Sequence, residues 1–238
     1  MEHAIIINRL EDLKNIKPKY TRIYFGNEFC PRLLPSIQEL SQALKIIKEM
    51  GREFTLITPW ADSEGLEKIK RLVDYLAKRQ FLKEVVVNDV GVLHYIKREF
   101  PLTSIIIGRM LSRLTLFSIN FLEKMAIKRI EIDFSLSNLP EIRENDFIKL
   151  SFYYPYTAIQ GTRYCSMANI AKNKRENPGI TNCLRECLKI GALRIKHSSF
   201  IPEIILKGNA QFIKNKINIK ALDMKNIDRL VFQPQPPV

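Results

Sequence analysis

Four cysteines, Cys30, Cys165, Cys183 and Cys187, are the residues of this 238-residue chain best suited to specific chemistry. Cys183 and Cys187 stand four apart in NCLREC, so on a helix both sulfurs would lie on one face, one turn apart, where they could share a metal. Cys165 comes 18 residues earlier, across a stretch with Pro178 and Gly179 that can loop back, and Cys30 ends the run YFGNEFC far upstream. Four thiolates can hold tetrahedral zinc or an iron-sulfur cluster. Structural zinc commonly uses two C-x-x-C knuckles, which neither pair shows; a ligand as distant as Cys30 suits a larger cubane cluster set into the rim of an enzyme. The plainer alternative is that the cysteines are buried, inert small hydrophobes.

Such residues need elements to position them, and the chain supplies a repeating pattern. RIYFG (22–26), EFTLITPW (53–60), EVVVND (84–89), SIIIG (104–108) and RIEIDF (129–134) are short β-branched runs, each separated from the next by an amphipathic stretch. Apolar strands alternating with helices indicate a parallel sheet covered on its outer side. No G-x-G-x-x-G follows any of them, so the expected fold is α/β, a TIM-like (β/α) barrel, and not a Rossmann sheet. After Phe134 the rhythm breaks, which makes the barrel incomplete or irregular in its second half. FIKLSFYYPY (147–156) is the next strand candidate; ALRIKHSS (192–199) and EIILKGNAQFI (203–213) are expected to close the barrel, followed by KINIKAL and IDRLVFQP. One domain over 1–232 is expected, with a Pro-rich tail at 233–238. In a barrel, functional residues gather at the carboxy ends of the strands. Cys30 and Cys165 both follow strand candidates, so one rim could hold all four thiols.

Composition narrows the setting. Apolar residues make up 46% and charged residues 26% of the chain, the balance of a protein with an ordinary core. The longest apolar runs fall far below the ~18 residues of a membrane-spanning helix, and the amino terminus lacks the layout of a signal peptide. The expected location is the cytoplasm, where thiols stay reduced and disulfides are disfavoured. The net charge of +13 is uneven: residues 163–225 carry 13 Lys/Arg against 4 Asp/Glu. That segment could grip RNA phosphates or another anion, or simply be a solvated surface.

Other residues near strand ends could act on a substrate. Asn88 and Asp89 close the third strand run, where an amide and a carboxylate could hold a hydroxyl or transfer a proton; Asp89 could equally cap the next helix. Arg109 and Arg113 follow the fourth run, and a guanidinium there could fork onto a carboxylate, Arg109 being the nearer. Glu28, just before Cys30, could contact substrate or be a solvated loop acid. His94 and His197 read as structural, and three histidines in all argue against a histidine metal site. There is no G-x-S-x-G elbow and no H-E-x-x-H, so a peptidase mechanism has no support from these residues.

Taken in order, YFGNEFC, VVVNDVGVLHYI, IIIGRMLSR, GTRYCSMA and CLRECL resemble peptidase family U32, the collagenase-like peptidase superfamily, and most closely its UbiV-type branch. The resemblance runs from about Ile23 to Gln211. It implies a modified TIM-like barrel and a 4Fe-4S cluster held by Cys30, Cys165, Cys183 and Cys187, with Asn88, Asp89 and Gly91 matching the strand-ending motif. It also implies oxygen-independent hydroxylation, of ubiquinone precursors by a heterodimer of homologous subunits or of tRNA and rRNA bases by longer relatives, with prephenate as the oxygen source. A small anionic or aromatic substrate and a homologous partner subunit are the expected partners. Two departures stand out: Ser112 replaces an asparagine common in the family, and the loop between Cys165 and Cys183 is longer than in the UbiV-type branch.

Overall fold

The computed structural model describes residues 1–112, 119–133, 146–162, 165–170, 183, 185–196, 202–215, 219 and 226–237. Twelve strands are present among them: β1 (Glu2–Ile7), β2 (Arg22–Gly26), β3 (Glu53–Ile57), β4 (Glu84–Val87), β5 (Ser104–Ile107), β6 (Arg129–Ile132), β7 (Lys149–Tyr154), β8 (Tyr156–Gly161), β9 (Leu193–Ile195), β10 (Ile204–Lys207), β11 (Ala210–Lys214) and β12 (Ile227–Phe232). Eight of these form a closed parallel barrel in the order β1-β12-β7-β6-β5-β4-β3-β2. The other four make an antiparallel sheet, β8-β11-β10-β9.

Closure differs from the sequence expectation. The runs at 193–195 and 204–214 do not close the barrel; they build the separate sheet, and β12 closes it by pairing with both β7 and β1. β1, within an apolar run that carried no strand assignment, stands between β12 and β2, with Ala4 beside both Val231 and Arg22. The barrel is therefore complete in strand number, and its irregularity is the sheet inserted between β7 and β12.

Helices pack where the apolar spacing says they should. α1 (Ile37–Glu49) begins with a reciprocal capping box in which Ser36 Oγ accepts from Glu39 N and Glu39 Oε2 accepts from Ser36 N. α2 (Ser63–Lys78) is capped by Asp62 and buries Ile69, Leu72, Val73 and Leu76, one stripe at helical spacing. α3 (Val90–Glu99) is capped by Asp89, and the short α4 (Arg109–Ser112) follows β5 directly. These helices and the outward strand residues, such as Phe25, Leu56 and Ile107, form the main core.

Alternation along the strands fills the lumen with the other set. Ala4, Ile6, Tyr24, Ile57, Val86, Ile106, Tyr153 and Val231 form a second apolar cluster inside the barrel. Below it, toward the amino ends of the strands, lies a charged layer. Arg229 donates to Glu2 (2.5 Å), to Glu84 (2.9 and 3.1 Å) and to the Tyr24 hydroxyl (2.6 Å), while Arg22 donates to Glu2 (2.7 Å) and Glu84 (3.2 Å). Paired this way, the charges can be buried without the full cost of desolvation.

The antiparallel sheet covers part of the carboxy-terminal mouth. Its Ala158, Ile205, Ala210 and Phe212 pack on Phe29 and Cys30, and Asn209 Nδ2 donates to the Phe29 carbonyl (2.7 Å). The chain end also returns to the barrel: Gln233 and Pro236 are buried, and Lys207 Nζ donates to the Pro236 carbonyl (2.9 Å). Among the described residues no helix is long and apolar enough to cross a membrane.

Candidate metal centre

The loop after β2 places the first thiol. Gly26 takes a positive φ of 134°, open to glycine, and its backbone passes so close to the Ile57 carbonyl that a Cβ would overlap it. The chain then turns on Asn27, whose Oδ1 accepts from the amides of Phe29 (3.1 Å) and Cys30 (2.8 Å). A 3-10 turn, Pro31–Leu33, follows. Cys30 is 7% exposed as a result, with the amides of Arg32 and Leu33 directed to its sulfur.

The other three come from the segment beyond β8. Cys165 immediately precedes the short helix Ser166–Ile170, and the amides of Met167 and Ala168 reach its sulfur. Cys187 lies in the short helix Glu186–Ile190. Cys183 lies outside that helix, because Arg185 adopts a left-handed conformation (φ 58°, ψ 40°) at its start. The expected single helix face shared by Cys183 and Cys187 is therefore absent; a bend separates them.

Despite this, the thiols lie within electrostatic range of one another. Cys30 is electrostatically coupled to Cys183 and Cys165, Cys165 to Cys183, and Cys187 to both Cys165 and Cys183. Cys165 and Cys187 share an apolar cluster with Met167, and Leu33 joins that cluster to the one around Cys30. All four cysteines are free. Burial pushes the Cys30 thiol up to about 12, with like-charge repulsion from Cys183 and Cys165 adding to it. Burial likewise raises Cys165 and Cys187 above the ordinary thiol range.

Charge of both signs lies near the set: Arg32 is paired with Asp62 and Glu64, and Glu186 adds negative charge beside Cys165. Arg32 and Lys68 are coupled to Cys30, Lys207 to Cys187, and Arg32, Lys68 and Arg185 line a cavity of about 260 Å³ with Cys183. Thiols that are costly to ionise alone, met by amide donors and with Lys68, Lys207 and Arg185 nearby, are suited to an anionic thiolate-bound group. Among the described residues, no three His, Cys, Asp or Glu side chains already converge as the ligand shell of a single ion.

Beneath the thiols sits a network that sequence inspection read only in part. Arg109 and Glu28 were expected to meet substrate; both are fully buried and bind each other, Arg109 Nε to Oε1 at 2.9 Å and Nη2 to Oε2 at 2.5 Å. The fork expected of Arg109 is present, but its carboxylate belongs to this chain. Nη1 also donates to Asp133 (2.9 Å) and the Tyr156 carbonyl (3.2 Å), and the guanidinium lies over the Tyr153 ring at 4.1 Å. Gln233, with its amide assigned so that the oxygen faces Arg109, accepts at 2.6 Å. Arg113 lies outside the described residues.

Asn88 and Asp89 also turn inward to the backbone. Asn88 is buried, donating to the Thr58 carbonyl (3.0 Å) and accepting from Met110 N (3.0 Å), which ties the ends of β3, β4 and β5 together. Asp89 Oδ1 accepts from Gly91 N (2.8 Å) and Val92 N (3.2 Å), capping α3. Ser112 donates to the Arg109 and Glu131 carbonyls.

Glu131 and Tyr153 were not singled out beforehand. Glu131 is fully buried in the lumen and accepts from the Tyr153 hydroxyl (2.6 Å) at one oxygen, while Oε1 has no partner. Burial, with the negative charge of Glu28, pushes its carboxyl up to about 8. The one signal in sequence was its alternation, Arg129, Glu131 and Asp133 occupying every second position of an otherwise apolar run.

Comparisons with known proteins agree with this architecture. The solved structure of the U32 peptidase Mk0906 superimposes with a TM-score of 0.56 at 12% identity, over 99% of this chain and 93% of that one, a likeness of fold. No curated protein matches the sequence. The profile of peptidase family U32 matches residues 15–214, a span that takes in the mouth of the barrel from Cys30 through Cys187. The chain belongs to peptidase family U32.

Proposed function

We propose that Cys30, Cys165, Cys183 and Cys187 hold a 4Fe-4S cluster at the barrel mouth, and that the chain serves oxygen-independent hydroxylation of a small anionic or aromatic molecule with a homologous partner subunit. The observation carrying this is that thiols from distant parts of the chain lie within electrostatic range of one another, Cys30 of Cys165 and Cys183, and Cys187 of the same two, with Lys207 beside Cys187. When bound, the cluster supplies electrons and oxygen-transfer chemistry that side chains lack.

The chain's own part is ligation and orientation. Amides of Arg32, Leu33, Met167 and Ala168 stabilise thiolate at Cys30 and Cys165. Lys68 and Lys207 offset negative charge, and the sheet packed on Cys30 shields it from solvent. A cysteine peptidase gains no support from the described histidines, which stand away from the thiols, His3 at the amino end of β1 and His94 exposed on α3.

Anaerobic purification followed by iron and acid-labile sulfide analysis tests this. Equal iron and sulfide, lost together in Cys183→Ser, is the expected result; zinc, or no metal, refutes it. The second reading is RNA modification or binding through the basic segment 163–225, of which about half lies outside the described residues. It is tested by RNA binding that weakens steeply with salt.

A further inference from the structure

Beyond Cys187 the chain divides its side chains between two directions. Cys187 and Leu193 pack inward with Met167 and Leu206. Leu188, Ile190 and Ile195 are instead 43–47% exposed, and Lys189, Arg194 and Lys196 are exposed with them. Of the large apolar side chains exposed among the described residues, only these three fall within eight positions of one another. Gly191, at a φ of 75°, turns the short helix Glu186–Ile190 into β9. That strand pairs with β10 on one side and with no described strand on the other. The segment is thus an outer edge of the sheet that covers the barrel mouth. Single exposed apolar residues are ordinary, but a group of them interleaved with cations marks an interaction surface.

Its charge is largely unanswered. Arg194 pairs with Glu203, whereas Lys189 and Lys196 have no ion pair among the described residues, and Glu186, the one acid from 185 to 196, is buried.

Spacing and charge separate the surfaces that could cover these tips. A rigid protein groove takes apolar side chains from one face of a helix or strand. Leu188 and Ile190 stand about 200° apart around their helix and Ile195 follows a turn, so they splay. A second copy of the chain would bring like charges together. Single-stranded nucleic acid is gripped by stacking on aromatic rings, of which 185–196 has none. A fluid anionic bilayer needs neither register nor rings: a helix end and its turn, pressed in end-on, bury aliphatic tips that point apart while lysines meet lipid phosphate.

We propose that residues 188–196 dock the mouth end of the barrel on an anionic lipid surface, with Leu188, Ile190 and Ile195 entering the interface and Lys189 and Lys196 meeting phosphate. This goes beyond the proposed chemistry and requires no cluster.

Co-sedimentation of the full chain with vesicles tests it, using an equimolar mixture of phosphatidylcholine and phosphatidylglycerol beside pure phosphatidylcholine. Binding to the mixed vesicles that weakens with salt, and is about tenfold or more weaker on pure phosphatidylcholine, is expected. Lys189→Gln with Lys196→Gln should weaken it by about tenfold or more, since each surface cation is worth about fivefold. Leu188→Ser, Ile190→Ser and Ile195→Ser together should cost a similar factor with an unchanged circular dichroism spectrum. Leu102→Ser, at a fully exposed position before β5 at the other end of the barrel, should leave binding unchanged. So should Lys83→Gln with Lys128→Gln, which removes the same charge ahead of β4 and β6. Equal losses in the two lysine pairs would assign binding to net charge and overturn the proposal, as would a serine variant that binds like the parent, equal binding to both vesicles, or none to the mixed ones. Binding to RNA or immobilised polyglutamate without binding to mixed vesicles, or a dimer that the serine variant loses, would give the segment to another partner and refute lipid docking.

Discussion

Replacing Arg109 with leucine removes the cation lying between Glu28 and Asp133, two carboxylates fully buried under the barrel mouth and bonded to it at 2.5 to 2.9 Å. Leucine fills much of the space, so the loss is mainly electrostatic: at fully buried positions Glu28 loses its bidentate cation and Asp133 one of its donors. Breaking a buried pair in this way costs about 3–5 kcal/mol, a large share of the roughly 5–15 kcal/mol that holds a typical domain together. For a chain of this size each kcal/mol moves the melting temperature by about 2–4 °C, so the drop expected in circular dichroism at neutral pH is roughly 6–20 °C. Adding Glu28→Gln to the leucine variant removes one of the stranded charges and should recover part of that loss, a coupling that additive effects would not produce. Arg109→Lys, which keeps the charge but not the fork, should fall between leucine and the parent. A leucine variant that melts within about 2 °C of the parent would refute the reasoning, as would a double variant less stable than Arg109→Leu alone.

Glu131→Gln should change how stability depends on pH. The folded carboxyl is raised to about 8 from an ordinary value near 4.5, so between these limits the native state holds a proton that the unfolded chain has released, and stability falls as pH rises. Glutamine still accepts from the Tyr153 hydroxyl and does not ionise; its melting temperature should decline less than the parent's from about pH 5 to pH 8, and parallel profiles would count against a protonated Glu131. Gly26→Ala forces a Cβ onto the Ile57 carbonyl at a φ of 134°, and since backbone cannot swing aside, a loss of about 2–4 kcal/mol in denaturant unfolding is expected. Ser36→Ala, which removes half of the capping box on α1, should cost about 1 kcal/mol in the same assay.

The strand and helix pattern through Ile132 was legible because each outward strand face is apolar and each helix carries a stripe at its own period; these are local properties, and β2 to β6 lie where they were read. So was Asp89 as a possible helix cap, since an aspartate directly before a helical stretch has that local option. The sequence could also name four cysteines and place Cys30 after a strand.

What only the tertiary structure decided concerns partners far apart in the chain. β1 and β12 close the barrel because they meet at its two ends, and no local pattern distinguishes a barrel strand from one in the inserted sheet. Arg109 and Glu28 look alike in sequence whether they face water or each other; the lumen, which lets in no solvent, makes them a pair. The bend at Arg185 removes the helix face expected for Cys183 and Cys187, yet the fold returns both to Cys30 and Cys165. Proximity of the thiols is a consequence of chain path, and spacing in sequence carries that information only when the intervening backbone is regular.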